Sequence, residues 1–302
     1  MQYNIVCGID NNYVEPLATM LNSLFLNNRE KVFCIHVLCI NVSQTNKDVL
    51  QSWVKRFQNE ILFYDIDNSS LKDCPIRKND TISIATYLRL LIPETLPQSI
   101  DKVLYLDVDI MICSDIEPLY AKKISDKALA AVEDAPNNSV IRKPGHIYFN
   151  AGIMLLNLSY FREKKITAKA FSFIRENKEK LLFHDQDVLN AILNESFYVL
   201  DPEWNLQDDS FRDHYKKNKS INIIHFSGKI KPWHKGCFHP YKKKYKQCIP
   251  HINLSPKTNP NEALTHLPRY QRFLFLAHMP DCFIFITDTI ISKLWNLVFR
   301  EK

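Results

Sequence analysis

Glycine is scarce in this chain. Only Gly8, Gly145, Gly152, Gly228 and Gly236 occur in 302 residues, against an average usage of about 7%. Neither Gly-x-Gly-x-x-Gly nor Gly-x-x-x-x-Gly-Lys-Ser/Thr is present, so a nicotinamide enzyme and a P-loop NTPase lose their main support. A sequence this poor in glycine keeps it where a Cβ would clash or φ must be positive, which makes the five positions pointers to special backbone. Cys-x-x-Cys pairs, zinc-ligand spacing and a serine nucleophile elbow are also missing. The eight cysteines fall partly inside apolar strand-like runs, the pattern of reduced cysteine used as a small core residue in the cytosol. Apolar runs fall short of the roughly 20 residues that cross a bilayer. The opening Met-Gln-Tyr-Asn-Ile-Val-Cys lacks a basic segment, a long apolar core and a cleavage site, so no signal peptide is expected. There is no internal repeat and no low-complexity segment.

What is present is the composition of a soluble globular protein, 46% hydrophobic and 24% charged, long enough for one large domain or one domain and a tail. The net charge of +6 is too mild to indicate nucleic-acid binding, but it favours an anionic ligand or surface.

The most informative stretch is Lys102-Val-Leu-Tyr-Leu-Asp-Val-Asp-Ile110, an apolar β-rich run ending in two carboxylates one residue apart. Alternation along a strand puts Asp107 and Asp109 on one face and turns Val108 away. Carboxylates held that close need a cation, and hard oxygen ligands suit Mg²⁺ or Mn²⁺, which in turn favour diphosphate oxygens. The bland alternative is an aspartate capping the turn after a strand.

Strands are expected at 3–9, 32–40, 61–66, 128–133, 147–158, 197–200 and 221–227. Helices are expected near 15–27, 44–58 (capped by Ser43), 83–92, 159–180 and 185–195. Such alternation predicts a mostly parallel sheet flanked by helices, with ligands bound outside the carboxyl ends of its strands. Asp10 to Asn12 and Asp107 to Asp109 both stand at such ends. Asn150 and Gly152 are odd inside a buried strand and suggest close backbone approach. From Pro268 onward, basic residues flank two short apolar runs, with Lys242, Lys243, Lys244 and Lys246 upstream. This fits an interfacial anchor on anionic lipid, the alternative being a helical hairpin packed on the core.

Six segments then occur together: Asp10-Asn-Asn-Tyr13, Ile84-Ala-Thr-Tyr-Leu-Arg-Leu90, Lys102 to Asp109, Tyr148-Phe-Asn-Ala-Gly152, Asp185-Gln-Asp187 and His225 to His234. In this order, over roughly residues 3–240, they resemble the glycosyltransferase family 8 enzymes of bacterial lipopolysaccharide synthesis. Those are retaining α-galactosyl- and α-glucosyltransferases of the GT-A fold. The resemblance implies a GT-A catalytic domain over 1–250 and a C-terminal helical extension over 251–302 that associates with a membrane surface. It implies Mn²⁺ or Mg²⁺ on Asp107, Asp109 and His225, and a UDP-hexose donor contacted by Gly8, Asp10, Asn12, Arg89, Asp107, Val108, Asp109, Asn150, Asp185, Gln186, Gly228 and Lys231. Asn150, Asp185 and Gln186 would line the transferred hexose as the catalytic group, and Asp134 would meet the acceptor. The acceptor would be a lipid-linked oligosaccharide, and the protein would work on the anionic cytoplasmic face of the inner membrane. Two other readings stand beside this one. A membrane-docked UDP-sugar-binding protein without turnover would carry the same motifs. A two-metal phosphohydrolase or nuclease would need more carboxylates near the aspartate pair and a broader basic groove, neither of which is found.

Overall fold

The apolar run Val32–Ile40 forms β2, buried from Phe33 to Ile40 as suits a strand covered on both faces. The computed structural model describes residues 2–77, 82–134, 137–207, 220–234, 237 and 239–256. In it β2 lies between β1 (Gln2–Asp10) and β3 (Glu60–Asp65), parallel to both. On the other side of β1 comes β4 (Lys102–Leu106), again parallel. Beyond it β7 (Phe149–Asn157) runs antiparallel to β4 and to β6 (Leu129–Glu133), and β8 (Phe197–Leu200) closes the sheet parallel to β6. The order is β3-β2-β1-β4-β7-β6-β8, with four of six pairings parallel. A second sheet of three strands joins β5 (Ile110–Ile112), β10 (Ile223–His225) and β9 (Leu206–Gln207).

Period-two alternation sends the apolar residues to two cores. Ile5, Cys7, Ile9, Phe33, Ile35 and Val37 pack with Leu17, Leu21 and Leu24 of α1 (Val14–Asn27) and Trp53 and Val54 of α2 (Gln44–Lys55). Val6, Leu38, Val103 and Tyr105 point the other way. They meet Tyr87 and Leu88 of a 3₁₀ helix over Ile84–Leu91 and apolar residues of α5 (Leu158–Glu163), α6 (Ile166–Asn177) and α7 (His184–Leu193). Between them in sequence come the one-turn helices α3 (Ile92–Thr95) and α4 (Glu117–Tyr120). Ser43 caps α2 as expected, accepting from the Asn46 amide.

Three expected elements differ. The Lys102–Ile110 strand ends at Leu106 and resumes at Ile110 in the other sheet, so the aspartate pair occupies a bend. The single helix over 159–180 is broken in two at Lys165, whose φ of 52° no right-handed helix tolerates. The 83–92 helix is 3₁₀ as far as Leu91, after which Pro93, which has no amide hydrogen, enters the first turn of α3.

The chain divides into two compact units, Met1–Ser227 with Ile249–Lys257, and Gly228–Cys248 with Thr258–Lys302. In the second, a short helix over Lys242–Gln247 buries Tyr245, whose ring lies 5.9 Å from that of Trp233. The extension from Pro268 and its expected membrane contact lie outside the described residues. No helix among the described residues is long and apolar enough to cross a membrane, and their seven cysteines are all free thiols.

One buried polar group in β2 stands apart from the bend. His36 sits with Nδ1 3.0 Å from Tyr64 Oη and Nε2 3.2 Å from Asn4 Oδ1, contacts that a neutral ring satisfies by accepting from the phenol and donating to the amide. Burial pushes its pKa down to about 4. The folded protein therefore refuses a proton that the unfolded chain takes up below about pH 6.5. This contribution to stability is complete above that pH and is lost as pH falls toward 4. Urea unfolding of wild type against His36→Gln should show about 2–3 kcal/mol more acid sensitivity in wild type between pH 7 and about pH 4.5. Parallel pH dependence in the two proteins would contradict the neutral, shielded imidazole.

Candidate functional site

Where β4 gives way to β5, backbone hydrogen bonds fix both sides of the bend. The Asp107 amide donates to the Gly152 carbonyl of β7 at 2.8 Å, and the Phe226 amide donates to the Asp109 carbonyl at 3.0 Å. In the antiparallel register of β5 and β10, His225 stands opposite Ile110 and so beside Asp109. His225 Nε2 is 3.5 Å from Asp109 Oδ1 and 3.9 Å from Asp107 Oδ2. One ligand atom from each of the three residues lies within 4.8 Å of the others. Val108 turns into the core between α1 and the sheet, as alternation predicts, although the strand has already ended.

Gly152 makes this packing feasible. A Cβ there would come 2.3 Å from His225 Cε1 and 2.8 Å from Asp107 Oδ2, contacts no side chain tolerates. Gly8 serves packing of another kind: its Cβ would meet Leu88 Cβ at 3.0 Å, so glycine lets the Ile84–Leu91 helix lie against β1.

Charge balance comes from Arg89, expected to reach a donor and found buried, with its side chain only 7% exposed. Its guanidinium donates to Asp107 Oδ1 at 2.8 Å and to the Ala151 carbonyl at 2.6 Å, and Nε lies 3.0 Å from Asp185 Oδ2. Tyr105 Oη donates to the same Asp107 oxygen at 2.6 Å, and Thr86 Oγ1 donates to Asp185 Oδ1 at 2.5 Å. Burial pushes the Asp107 carboxyl above the ordinary carboxylate range against the pull of Arg89, and the charge on Asp109 adds to the rise. The Asp185 carboxyl is raised by burial too, opposed by Arg89 and Thr86. For Arg89, burial disfavours the charge, but the two aspartates outweigh it and the guanidinium is held more firmly protonated than in water.

Beside this ionic group lies a set of amides. Asp134, just past β6, accepts from Asn150 Nδ2 at 2.8 Å, Gln186 Nε2 at 3.2 Å and Asn137 Nδ2 at 2.6 Å. Gln186 Oε1 in turn accepts from the Ala151 amide at 2.9 Å. Asp187, inside the first turns of α7, accepts from the Leu182 and Phe183 amides at 2.7 Å and from the Tyr148 and Ser139 hydroxyls, while the N-cap position, Phe183, makes no side-chain cap bond. Asp185, in the first turn of the same helix, meets Arg89 and Thr86 instead.

At the end of β1, the Asp10 side chain accepts from the Asn12 amide at 2.8 Å and caps the turn there, while Asn12 is exposed. Gly228 and Lys231 belong to the second unit, where the Lys231 amide donates to His234 Nδ1 at 3.0 Å. Three residues of the site escaped the sequence reading. Tyr105 is two residues before Asp107 on the same strand face, and Thr86 is one 3₁₀ turn before Arg89, so spacing gave a signal for both. Asn205, which contacts His225 Nδ1 at 2.9 Å, has no local signal.

Removing the guanidinium leaves buried carboxylates without their partner, a loss of about 3–5 kcal/mol. Arg89→Met should show that loss in denaturant unfolding, and adding Asp185→Asn should recover part of it. A loss below about 1 kcal/mol would mean that the network does not carry this charge.

Residues 4–237 match the family model for Glycosyl transferase family 8. The chain is 31% identical over 262 residues to general stress protein A of Bacillus subtilis (strain 168), a match spanning 80% of this chain and 91% of that protein. It is 30% identical over 288 residues to a lipopolysaccharide 1,3-galactosyltransferase of Salmonella typhimurium, spanning 89% and 84%. Among solved structures, the galactosyltransferase LgtC in complex with donor and acceptor sugar analogues superposes with a TM-score of 0.76 at 24% identity, covering 87% of this chain and all of that one. That likeness shows the mixed α/β GT-A fold expected from the sequence. With a family match over most of its length and a relative of this similarity, the chain belongs to glycosyl transferase family 8.

Proposed function

We propose that this protein transfers a hexose, galactose or glucose, from UDP-hexose to a hydroxyl of a lipopolysaccharide or lipooligosaccharide core, with retention of configuration and with a divalent cation on Asp107, Asp109 and His225. The observation that carries the reading is the convergence of those three side chains, from a bend and a strand far apart in sequence, around a point where Gly152 leaves no Cβ. Family membership and the likeness to a lipopolysaccharide galactosyltransferase support the chemistry and the acceptor class.

The residues fit a cation. Two carboxylates and an imidazole suit Mn²⁺, or Mg²⁺ with further oxygen ligands. Asp107, Asp109 and Asp185 set three carboxylates against the one guanidinium of Arg89, which leaves room for a further positive charge where Asp107, Asp109 and His225 converge. When bound, the ion supplies positive charge against the diphosphate of the departing UDP.

The protein's own side chains do the rest. Gly8, Asp10 and Asn12 take the nucleoside side, with Val108 beside them in the Asp107–Asp109 bend. Gly228 and Lys231 take the diphosphate, on the strength of the His225–His234 motif. Arg89 holds Asp107 and Asp185 at fixed positions and opposes the negative charge of both. Asn150, Asp185 and Gln186 form the polar wall along the hexose. Asp134 borders the acceptor side and steadies the carboxamides of Asn150 and Gln186.

Double displacement needs a carboxylate nucleophile at the anomeric carbon. Asp134 and Asp185 are both engaged by hydrogen-bond donors, and a carboxamide such as Gln186 is a poor nucleophile. We therefore assign a front-side transfer. The bond from the anomeric carbon to the UDP oxygen breaks, the acceptor oxygen bonds to the same face, and the acceptor proton passes to the UDP oxygen. The lysines of the Lys242–Gln247 helix support work at an anionic membrane surface, on the cytoplasmic side of an inner membrane.

UDP release from UDP-galactose or UDP-glucose should require Mn²⁺ or Mg²⁺, stop on adding EDTA, and return with excess metal. Asp109→Ala should lower it on the order of 100-fold or more. Release that persists in EDTA, or in Asp109→Ala, would remove the metal from the reaction; absence of release with every UDP-sugar would leave a binding protein.

A further inference from the structure

A histidine can hold a metal ion only through a ring nitrogen that carries no hydrogen, so something must decide which nitrogen that is. In this protein the decision is traceable through a chain of side chains, each step of which has one workable orientation. The Gly152 amide, which can only donate, lies 3.0 Å from the Asn150 side chain on one side. Asp134, whose carboxylate accepts, lies 2.8 Å from it on the other. These fix the Asn150 carboxamide, with Oδ1 toward Gly152 and Nδ2 toward Asp134. Asn205 approaches the same Asn150 Oδ1 at 2.9 Å and must present its Nδ2 there. Its own Oδ1 then faces His225, 2.9 Å from Nδ1, and an amide oxygen can only accept. The hydrogen of the neutral ring is therefore on Nδ1, and Nε2 is the nitrogen that faces Asp109 and Asp107.

Burial makes the arrangement strict. Asn205 is 1% exposed and His225 4%, so water offers little competition for these bonds. Asn205 immediately precedes β9, whose Gln207 pairs with His225 of β10, so the sheet register itself brings the carboxamide to the ring.

We propose that Asn205 is a positioning residue that holds His225 as the Nδ1–H tautomer with Nε2 turned to Asp107 and Asp109, its own orientation being set by Asn150 and, through it, by Gly152 and Asp134. The inference rests on the reading of Asp107, Asp109 and His225 as a cation site. A polar contact behind a ligating imidazole typically changes metal affinity 10- to 100-fold.

The test has two arms on the full chain. Nitrogen-15 NMR of the metal-free protein, at a pH high enough that the ring is neutral, reports the tautomer of His225 directly. Wild type should show protonated Nδ1 and bare Nε2, and Asn205→Leu should lose that fixed pattern. Mn²⁺ titration followed by electron paramagnetic resonance, with Mn²⁺ alone and with UDP added, should show binding weakened about 10- to 100-fold in Asn205→Leu. Asn205→Asp, which keeps an oxygen to accept from Nδ1 but loses the donor to Asn150 Oδ1, should bind Mn²⁺ more tightly than Asn205→Leu, which a merely structural role for the asparagine would not produce. A wild-type His225 with its hydrogen on Nε2 overturns the proposal whether or not Asn205→Leu folds. So does a folded Asn205→Leu that binds Mn²⁺ as wild type does. Wild type that binds no Mn²⁺ in either condition overturns the cation reading itself and this inference with it, while an observed Nδ1–H tautomer with normal binding isolates any failure to Asn205.

Discussion

Two carboxylates one residue apart, at the end of a strand in the middle of a sheet, repel each other and are poorly hydrated, and the rest of the site is a response to that cost. Arg89 is the permanent part of the response. It leaves the Ile84–Leu91 helix, crosses to the sheet and binds Asp107, with Asp185 on its other flank. A single guanidinium is shared between the buried Asp185 and the half-buried Asp107, and Asp109 brings a third carboxylate. The geometry that remains, with His225 facing the pair, is one that the proposed divalent ion would relieve.

The topology supplies the positions. β1 and β4 run parallel, so Asp10 and Asp107 arrive at the same edge of the sheet. β7 runs the other way between β4 and β6, which places the Asn150–Gly152 stretch alongside the Asp107 bend. The short second sheet then brings His225 from a much later segment. The end of β4 leads into the carboxylates, β7 offers the Gly152 carbonyl and its missing Cβ, and β10 offers an imidazole at a defined register.

Much of this was legible beforehand because it is local. The continuous apolar run of β2, the cap at Ser43 and the aspartate pair are patterns within a few residues. The scarcity of glycine was informative too: Gly8 and Gly152 are both places where a Cβ would collide, and Gly145 has a φ of 78°. The family resemblance named Asp107, Asp109 and His225 together, and the structure does bring them together. What the sequence hid is set by tertiary contact. Nothing near Arg89 says that it is buried, since its charged and carbonyl partners lie in the bend after β4, on β7 and at the start of α7. Asn205 acquires its role only when β9 pairs with β10. The hydroxyls that Asp187 accepts from, on Tyr148 and Ser139, come from far away in the chain.

The central claim concerns the place of one ion, and diffraction answers it directly. Crystals grown with Mn²⁺ and UDP, measured at the manganese absorption edge, should show one strong anomalous peak bounded by Asp107, Asp109 and His225 Nε2. A peak elsewhere with this triad empty, under conditions where the protein turns over, would contradict the account.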